Sequence, residues 1–412
     1  MEIFKGLQPE LVWSYFEEIC KIPRPSKKEE KIAAWLMEFA KKHQLEARQD
    51  EAGNVLITKP ATPGKEQTPG VVLQAHMDMV CEKNADTVHD FDKDPIKPYI
   101  DGEWVKAKGT TLGADDGIGI AAALAVLTDE NIQHGPLECL FTVDEETGLT
   151  GAFALQPGFF QGKILLNLDS EDEGEIFIGC AGGIDTVIRL PYRKMVLPAH
   201  KFAVQVKVKG LQGGHSGAEI QKQLGNAHKI MGRVLYALAK DYDFNIVSTN
   251  GGNAANVIAQ YNTTEIIADP AQAQDIIDAV AGLEQTIYAE FAGQEPTLSL
   301  KAVSDGETTL KAFDADTTSH VIGFLYGAID GVQCYDRAFP TAVESSLNTG
   351  IVETTEDTVK IKFQVRSSVA TKLDDMQNKL DLATDLASAS REISGEYPAW
   401  SYNADSVIRP KA

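Results

Sequence analysis

Residues 71–84 read VVLQAHMDMVCEKN, and the reading turns on His76 and Asp78, which follow directly on the apolar run Val71-Val72-Leu73. The run has the composition of a buried strand. A strand that merely turns back needs neither a histidine nor an aspartate at its end, whereas a metal site uses both. Taken alone, the pair is an ordinary polar turn. Its weight comes from what the other strand ends deliver. Leu137 to Thr142 reads as a second strand and runs into VDEETG, with Glu145 and Glu146; KILLNLD, residues 163–169, is a third and ends on Asp169. Between them GTTLGADDGIG, residues 109–119, carries Asp115 and Asp116 into a helix expected over residues 117–127, where IGIAAALAVL suits close packing on a sheet. Carboxylates and a histidine at separate strand ends are the layout of an α/β sheet with its ligand outside the carboxyl edge.

Upstream, apolar residues at helical spacing predict helices over residues 8–20 and 26–43 around the break PRPS, followed by short strands over 45–49 and 54–58. From residue 184 the texture changes to longer alternating strands, as in HKFAVQVKVKG, residues 200–210. ANVIAQYNTTEIIADP, residues 255–270, reads as a hairpin before a helix over 271–290. The same order is expected to recur in TLSLKAVSD, a helix over 314–328, a hairpin around TEDTVKIKFQV and a helix over 371–390, which makes this region a doubled α+β unit.

Zinc and similar ions take imidazole and carboxylate ligands and leave a position for water. His76 offers the imidazole, Asp115 a carboxylate able to bridge two ions, and Glu145, Glu146 and Asp169 further carboxylates. Asp78 is placed to hydrogen-bond the other ring nitrogen of His76 and fix its tautomer. One of the adjacent glutamates would bind metal and the other take a proton from water. Other chemistries fit less well. GGHSGA, residues 213–218, is not the GxSxG of a serine nucleophile elbow, and HExxH is absent. The two aspartates of GADDGIG would oppose a pyrophosphate at the helix start.

The chain has 412 residues, 38 basic against 60 acidic, for a formal charge of -22. That balance argues against nucleic acid or an anionic membrane as partner. Five scattered cysteines without CxxC spacing read as reduced core residues, the amphipathic start MEIFKGLQPELVWSYF is no signal peptide, and no apolar run reaches membrane-spanning length, so a cytoplasmic location is expected.

AHMDMV, GTTLGADDGIG, TVDEETGLTGA, LLNLDSE, GLQGGHSG and FQVRSS together resemble the M20 family of metallopeptidases, and the likeness runs over nearly the whole chain from residue 5. The resemblance implies a zinc-peptidase-like α/β catalytic domain with a mixed central sheet over residues 1–183, resumed at 397–412, and an inserted α+β lid domain over 184–396. It implies two Zn2+, with Mn2+ or Co2+ as substitutes. His76, Asp115 and Asp169 would hold one, and Asp115, Glu146 and a late histidine the other. Asp78 would orient His76, Glu145 would be the base, and a cis peptide would join Asp115 to Asp116. In the lid, His215 would polarise the substrate carbonyl while Asn256 and Arg366 hold substrate. The implied reaction is hydrolysis of unblocked dipeptides, Xaa-His among them, by a homodimer.

The end of the chain departs from the pattern. Similar enzymes continue past a YPGW-like segment to a HAGLECG-like loop, whereas YPAWSYNADSVIRPKA closes this sequence and its last histidine is His320. The expectation is an impaired second zinc position, with a catalytically silent metal-binding or partner-binding chain as the alternative.

Overall fold

The computed structural model describes residues 3–170, 174–291 and 293–411, so Glu171, which closes LLNLDSE, lies outside the described residues. The chain forms two compact units, Met1–Phe177 with Ser406–Ala412, and Ile178–Asp405. Both crossings lie further out than positions 183 and 397. The connecting segments pair with each other: the Cys180 N–H donates to the Trp400 carbonyl at 2.9 Å and the Trp400 N–H to the Cys180 carbonyl at 3.1 Å, which ties both strips to the second unit.

In the first unit, helices α1 (Glu10–Ile19) and α2 (Glu30–Lys42) precede strands β1 (Glu46–Gln49), β2 (Val55–Lys59) and β3 (Val71–His76). A small hairpin, β4 (Pro98–Asp101) with β5 (Trp104–Ala107), leads to α3 (Ala114–Thr128), β6 (Leu137–Thr142), the short α4 (Glu145–Gly148) and α5 (Thr150–Ala154), and β7 (Ile164–Asn167). Helix α2 starts four residues later than the sequence suggests, because Lys27 takes a left-handed φ of 66° directly after the PRPS break. The sheet order is β1-β2-β6-β3-β7. β1, β2 and β6 pair antiparallel, while β6 and β7 both run parallel to β3, so the sheet is mixed. The parallel trio brings the ends of β3, β6 and β7 to one edge.

Helices α1, α2 and α3 cover one face of this sheet, where Phe16, Leu36, Ile57, Ala75, Leu124 and Phe141 are buried together. Each large side chain fully removed from water there contributes about 1.5–3 kcal/mol. Helix α3 is the crossover from β3 to β6, and its fully buried Ala121 and Ala123 allow the close approach.

Among its described residues the second unit has one long sheet, a small two-stranded sheet and four α-helices. Its elements are β8 (Gly182–Pro191), β9 (Lys194–Val196), β10 (Lys201–Lys209), α6 (Ala227–Leu238), β11 (Phe244–Gly251), β12 (Asn262–Ala268), α7 (Pro270–Glu290) and β13 (Ser299–Thr308). They continue as β14 (Lys311–Phe313), α8 (Ala315–Gly327), β15 (Gly331–Tyr335), β16 (Val343–Thr354), β17 (Thr358–Ser367), α9 (Ala370–Leu386) and β18 (Ser390–Tyr397). The sheet runs β13-β10-β12-β11-β16-β17-β8-β18, with β15 also on β16. Its two halves mirror one another as two β-α-β-β-α-β runs. β10, α6, β11, β12, α7 and β13 form one; β8, α8, β16, β17, α9 and β18 form the other.

The structure departs from the sequence expectation at two segments. TLSLKAVSD does not open the second run; it is β13, which closes the first by pairing antiparallel with β10. Residues 255–261 are not a strand of a hairpin. They form the connection between β11 and β12, which pair with each other. The loop carries AANVIAQ, whose apolar Val257 and Ile258 gave a strand-like pattern, but His215 bridges to Val257 and the Ile258 N–H donates to the Gly214 carbonyl instead. No helix among the described residues is long and apolar enough to cross a membrane.

Candidate metal centre

The strand ends meet at His76. Its ring is 1% exposed, Nδ1 lies 3.1 Å from Asp78 Oδ1, and Nε2 lies 2.9 Å from Asp115 Oδ1 and 3.6 Å from Asp169 Oδ1. With Nδ1 committed to Asp78, only Nε2 is left for an ion. Asp78 is fully buried and accepts from Ser26 Oγ at 2.7 Å, from the Glu145 N–H at 2.9 Å and from the Glu146 N–H at 3.2 Å. One carboxylate therefore fixes both the imidazole and the turn that carries the two glutamates. Burial works to raise the Asp78 pKa, but the hydrogen bonds from His76, Glu145 and Ser26 outweigh it and hold the group at about 2.

Asp115 stands at the irregular start of α3. It joins Asp116 by a cis peptide, and neither residue has helical angles, so the regular part of α3 starts beyond them. Asp116 turns inward, 1% exposed, and accepts from the His76 N–H at 3.1 Å and the Gly119 N–H at 3.2 Å. A side chain at Gly119 would collide with that carboxylate, which is why the helix has no Cβ there.

Two sets of donor atoms lie within 4.8 Å of one another: His76, Asp116 and Asp169, and His76, Asp115 and Glu146. Four residues singled out as ligands, His76, Asp115, Glu146 and Asp169, are thus brought together, and both sets call on the single free nitrogen of His76. Asp116 was not singled out. Its sequence signal is the doubled aspartate of GADDGIG, of which the resemblance points only to the first as a ligand. Imidazole plus carboxylates is the donor chemistry of zinc, manganese and cobalt.

The electrostatics of the protein alone describe a cation trap. Burial would lower the His76 pKa, but its contacts with Asp169, Asp78 and Asp115 raise it to about 11, so without metal the ring carries the positive charge itself. Glu145 is pushed up to about 7, first by burial, with His76 opposing and Asp169 and Glu146 adding to the rise. Burial and the charge of Asp169 likewise push Asp116 to about 7. Glu146 is raised by burial and by Asp115, and its Oε1 accepts from the Val80 N–H at 3.2 Å.

A further support was not read from the sequence. Arg24, 3% exposed, donates to the Met77 carbonyl at 2.9 Å and also to the carbonyls of Asp78 and Gly113. It holds the end of β3 against the start of α3. PRPS was treated only as a helix break, and an arginine between two prolines with no carboxylate partner in sequence gives no local sign of burial.

In the second unit His215, Asn256 and Arg366 come together. His215 bridges to Val257, the Ser216 N–H donates to the Asn256 carbonyl at 2.8 Å, and a side chain at Gly217 would touch both His215 and Arg366. Arg366 donates to Tyr397 Oη at 2.9 Å and Gln364 Oε1 at 2.8 Å. Burial, then the charge of Arg366, lowers the His215 pKa, so its imidazole is neutral near pH 7.

One imidazole and several carboxylates gathered at the carboxyl edge of a mixed sheet, in a chain that carries an inserted α+β unit, are the donor set of a metal-dependent hydrolase. The chain belongs to peptidase family M20/M25/M40, whose profile matches residues 72–351. It is 45% identical over 414 residues to the cytosol non-specific dipeptidase of Escherichia coli, covering 99% of this chain and 84% of that protein. Among solved structures it superposes with a TM-score of 0.89 on the aminoacylhistidine dipeptidase of Vibrio alginolyticus, at 41% identity over 100% of this chain and 84% of that one. The aminopeptidase PepT of Bacillus cereus shares the fold, with a TM-score of 0.51 at 18% identity over 97% of this chain and 79% of that one.

Proposed function

We propose that the chain is a metal-dependent dipeptidase that hydrolyses unblocked dipeptides, Xaa-His included, in the cytoplasm as a homodimer. The observation that carries the reading is the chain of contacts from Asp78 through His76 to Asp115 and Asp169, joined to likeness with two dipeptidases over almost the full chain. His76, Asp115, Glu146 and Asp169 would hold two divalent ions, zinc by preference and manganese or cobalt as substitutes, with Asp115 shared. Bound there, such ions supply Lewis acidity toward water and the scissile carbonyl.

The protein's own residues do the rest. Asp78 keeps the His76 ring turned so that Nε2 faces the ions. Glu145, held near neutrality by its surroundings, takes the proton of the attacking water and delivers it to the leaving amine nitrogen as the C–N bond breaks. The second unit serves as a lid. In it, His215 donates to the carbonyl oxygen on which charge develops, and Asn256 and Arg366 hold the substrate.

A second reading is a metal-binding chain without turnover. It is favoured by the two donor sets found among the described residues both drawing on the imidazole of His76. Assaying Ala-His and a folded protein side by side with added zinc separates the two. Cleavage of the dipeptide alone supports the dipeptidase; cleavage of the folded protein with Ala-His intact rules it out, and zinc binding without turnover favours the silent chain.

A further inference from the structure

Asn348 lies in β16, 1% exposed, and its Nδ2 donates to two carbonyls at once, Ala255 at 2.8 Å and Val257 at 2.9 Å. These are the carbonyls immediately before and after Asn256. Two acceptors facing one amide require its nitrogen on that side, and both N–H bonds are then used. The oxygen of the same amide is left buried with no partner. Leaving a buried acceptor without a partner is unfavourable, so the amide stands in this orientation because the two carbonyls hold it, not because its own oxygen is satisfied.

The surroundings converge on the same short loop. The carbonyl of Asn256 accepts from the Ser216 N–H at 2.8 Å, Ser216 Oγ donates to Gln364 Oε1 at 3.2 Å, and Gln364 stands directly opposite Asn348 in the pairing of β16 with β17. Three successive carbonyls, those of residues 255, 256 and 257, are thereby fixed from β16 and from the Ser216 loop, which β17 in turn holds through Gln364. The side chain of Asn256 itself remains exposed. A residue that holds substrate through a loop side chain acts only as well as its backbone is placed, and an error near 1 Å costs on the order of 100-fold.

We propose that Asn348 is a positioning residue for the reaction, setting the place of Asn256 by clamping the carbonyls on either side of it. The proposal rests on the reading of Asn256 as a substrate-holding residue. It assigns to a buried strand residue a role that its own contacts with substrate do not supply.

The test is a double-mutant cycle on Ala-His hydrolysis by the zinc-loaded chain, with Asn348→Ala, Asn256→Ala and the pair. Asn348→Ala is expected to lower kcat/KM by roughly tenfold or more at unchanged zinc content, and to cost less than about twofold once Asn256 is alanine. Asn348→Ser, which keeps one donor, is expected to fall between, and serves if the alanine variant does not fold. Hydrogen exchange of residues 252–260 provides a readout independent of turnover: protection in that segment is expected to drop by roughly tenfold in Asn348→Ala. A wild type that leaves Ala-His uncut refutes the dipeptidase reading, and the clamp is then judged by exchange alone. Unchanged exchange overturns the clamp. A penalty of equal size with and without Asn256 overturns the positioning role.

Discussion

His76 and Asp78 stand two residues apart at the end of one strand, and Nδ1 of the histidine lies 3.1 Å from Oδ1 of the aspartate. Asp78 lies beyond the last residue of β3, so the turn after the strand has to bring its carboxylate under the ring. It does so because Asp78 is held from three sides, by Ser26 and by the N–H groups of Glu145 and Glu146. Asp78→Asn keeps the shape but turns one of the two oxygens into a donor and removes the charge. Zinc affinity, measured by competition with a chelating dye, is expected to fall by roughly 10–100-fold. An unchanged affinity would show that the ring is oriented by something else.

Metal binding should release a proton. Without metal the His76 ring is held protonated up to about pH 11, and an ion at Nε2 must displace that proton. Affinity therefore rises with pH below that value. Calorimetric titration with zinc at pH 8 in two buffers of different ionisation enthalpy is expected to show about one proton released per ion bound at His76, and the release should vanish in His76→Ala.

The acid side carries its own signature in the metal-free protein. Glu145 has a folded pKa of about 7 against an ordinary value of 4.5, so the folded state keeps its proton longer than the unfolded one. Its contribution is most favourable below about pH 4.5 and is lost as pH rises through about 7. Relative to wild type under chelation, Glu145→Gln is expected to gain stability as pH rises across that window, read as the difference in urea midpoint. A difference that stays flat or reverses contradicts the placement of Glu145 among buried acids.

Arg24 should matter for stability apart from any ion. Its guanidinium satisfies carbonyls of Met77, Asp78 and Gly113 in a buried place, and Arg24→Met leaves them without donors. A loss of roughly 2–4 kcal/mol by urea unfolding of the metal-free protein is expected, since hydrogen bonds to charged groups and stranded buried acceptors are each costly. A change below about 1 kcal/mol would mean that water replaces the side chain.

The architecture of the first unit was legible because its apolar runs are short, separate and each followed by a polar residue with no business in a core. Val71 and Leu137 begin strands where the sequence placed them, and Leu137 to Thr142 matches at both ends, whereas the third run is shorter than KILLNLD, covering Ile164–Asn167 and leaving Asp169 two residues beyond the strand. What stayed hidden depends on contacts distant in sequence. Arg24 lies 54 residues from Asp78 and 89 from Gly113, and nothing local marks it. TLSLKAVSD was assigned to the wrong half of the second unit because strand order is a property of pairing and not of composition; only the register of β13 on β10 decides it. Asn348 was invisible for the same reason: nothing in SSLNTG marks it, and the two carbonyls it holds lie more than 90 residues away.

We propose that Asp115, which meets His76 Nε2 at the non-helical start of α3, is a shared ligand of the metal centre. Zinc content after dialysis, measured by elemental mass spectrometry on folded wild type and Asp115→Ala side by side, tests it most directly. Wild type is expected to retain bound zinc and Asp115→Ala to retain essentially none, because losing the bridging oxygen leaves both positions short of a ligand and neighbouring cations poorly screened. An Asp115→Ala protein that keeps as much zinc as wild type, or a wild type that keeps none, contradicts it.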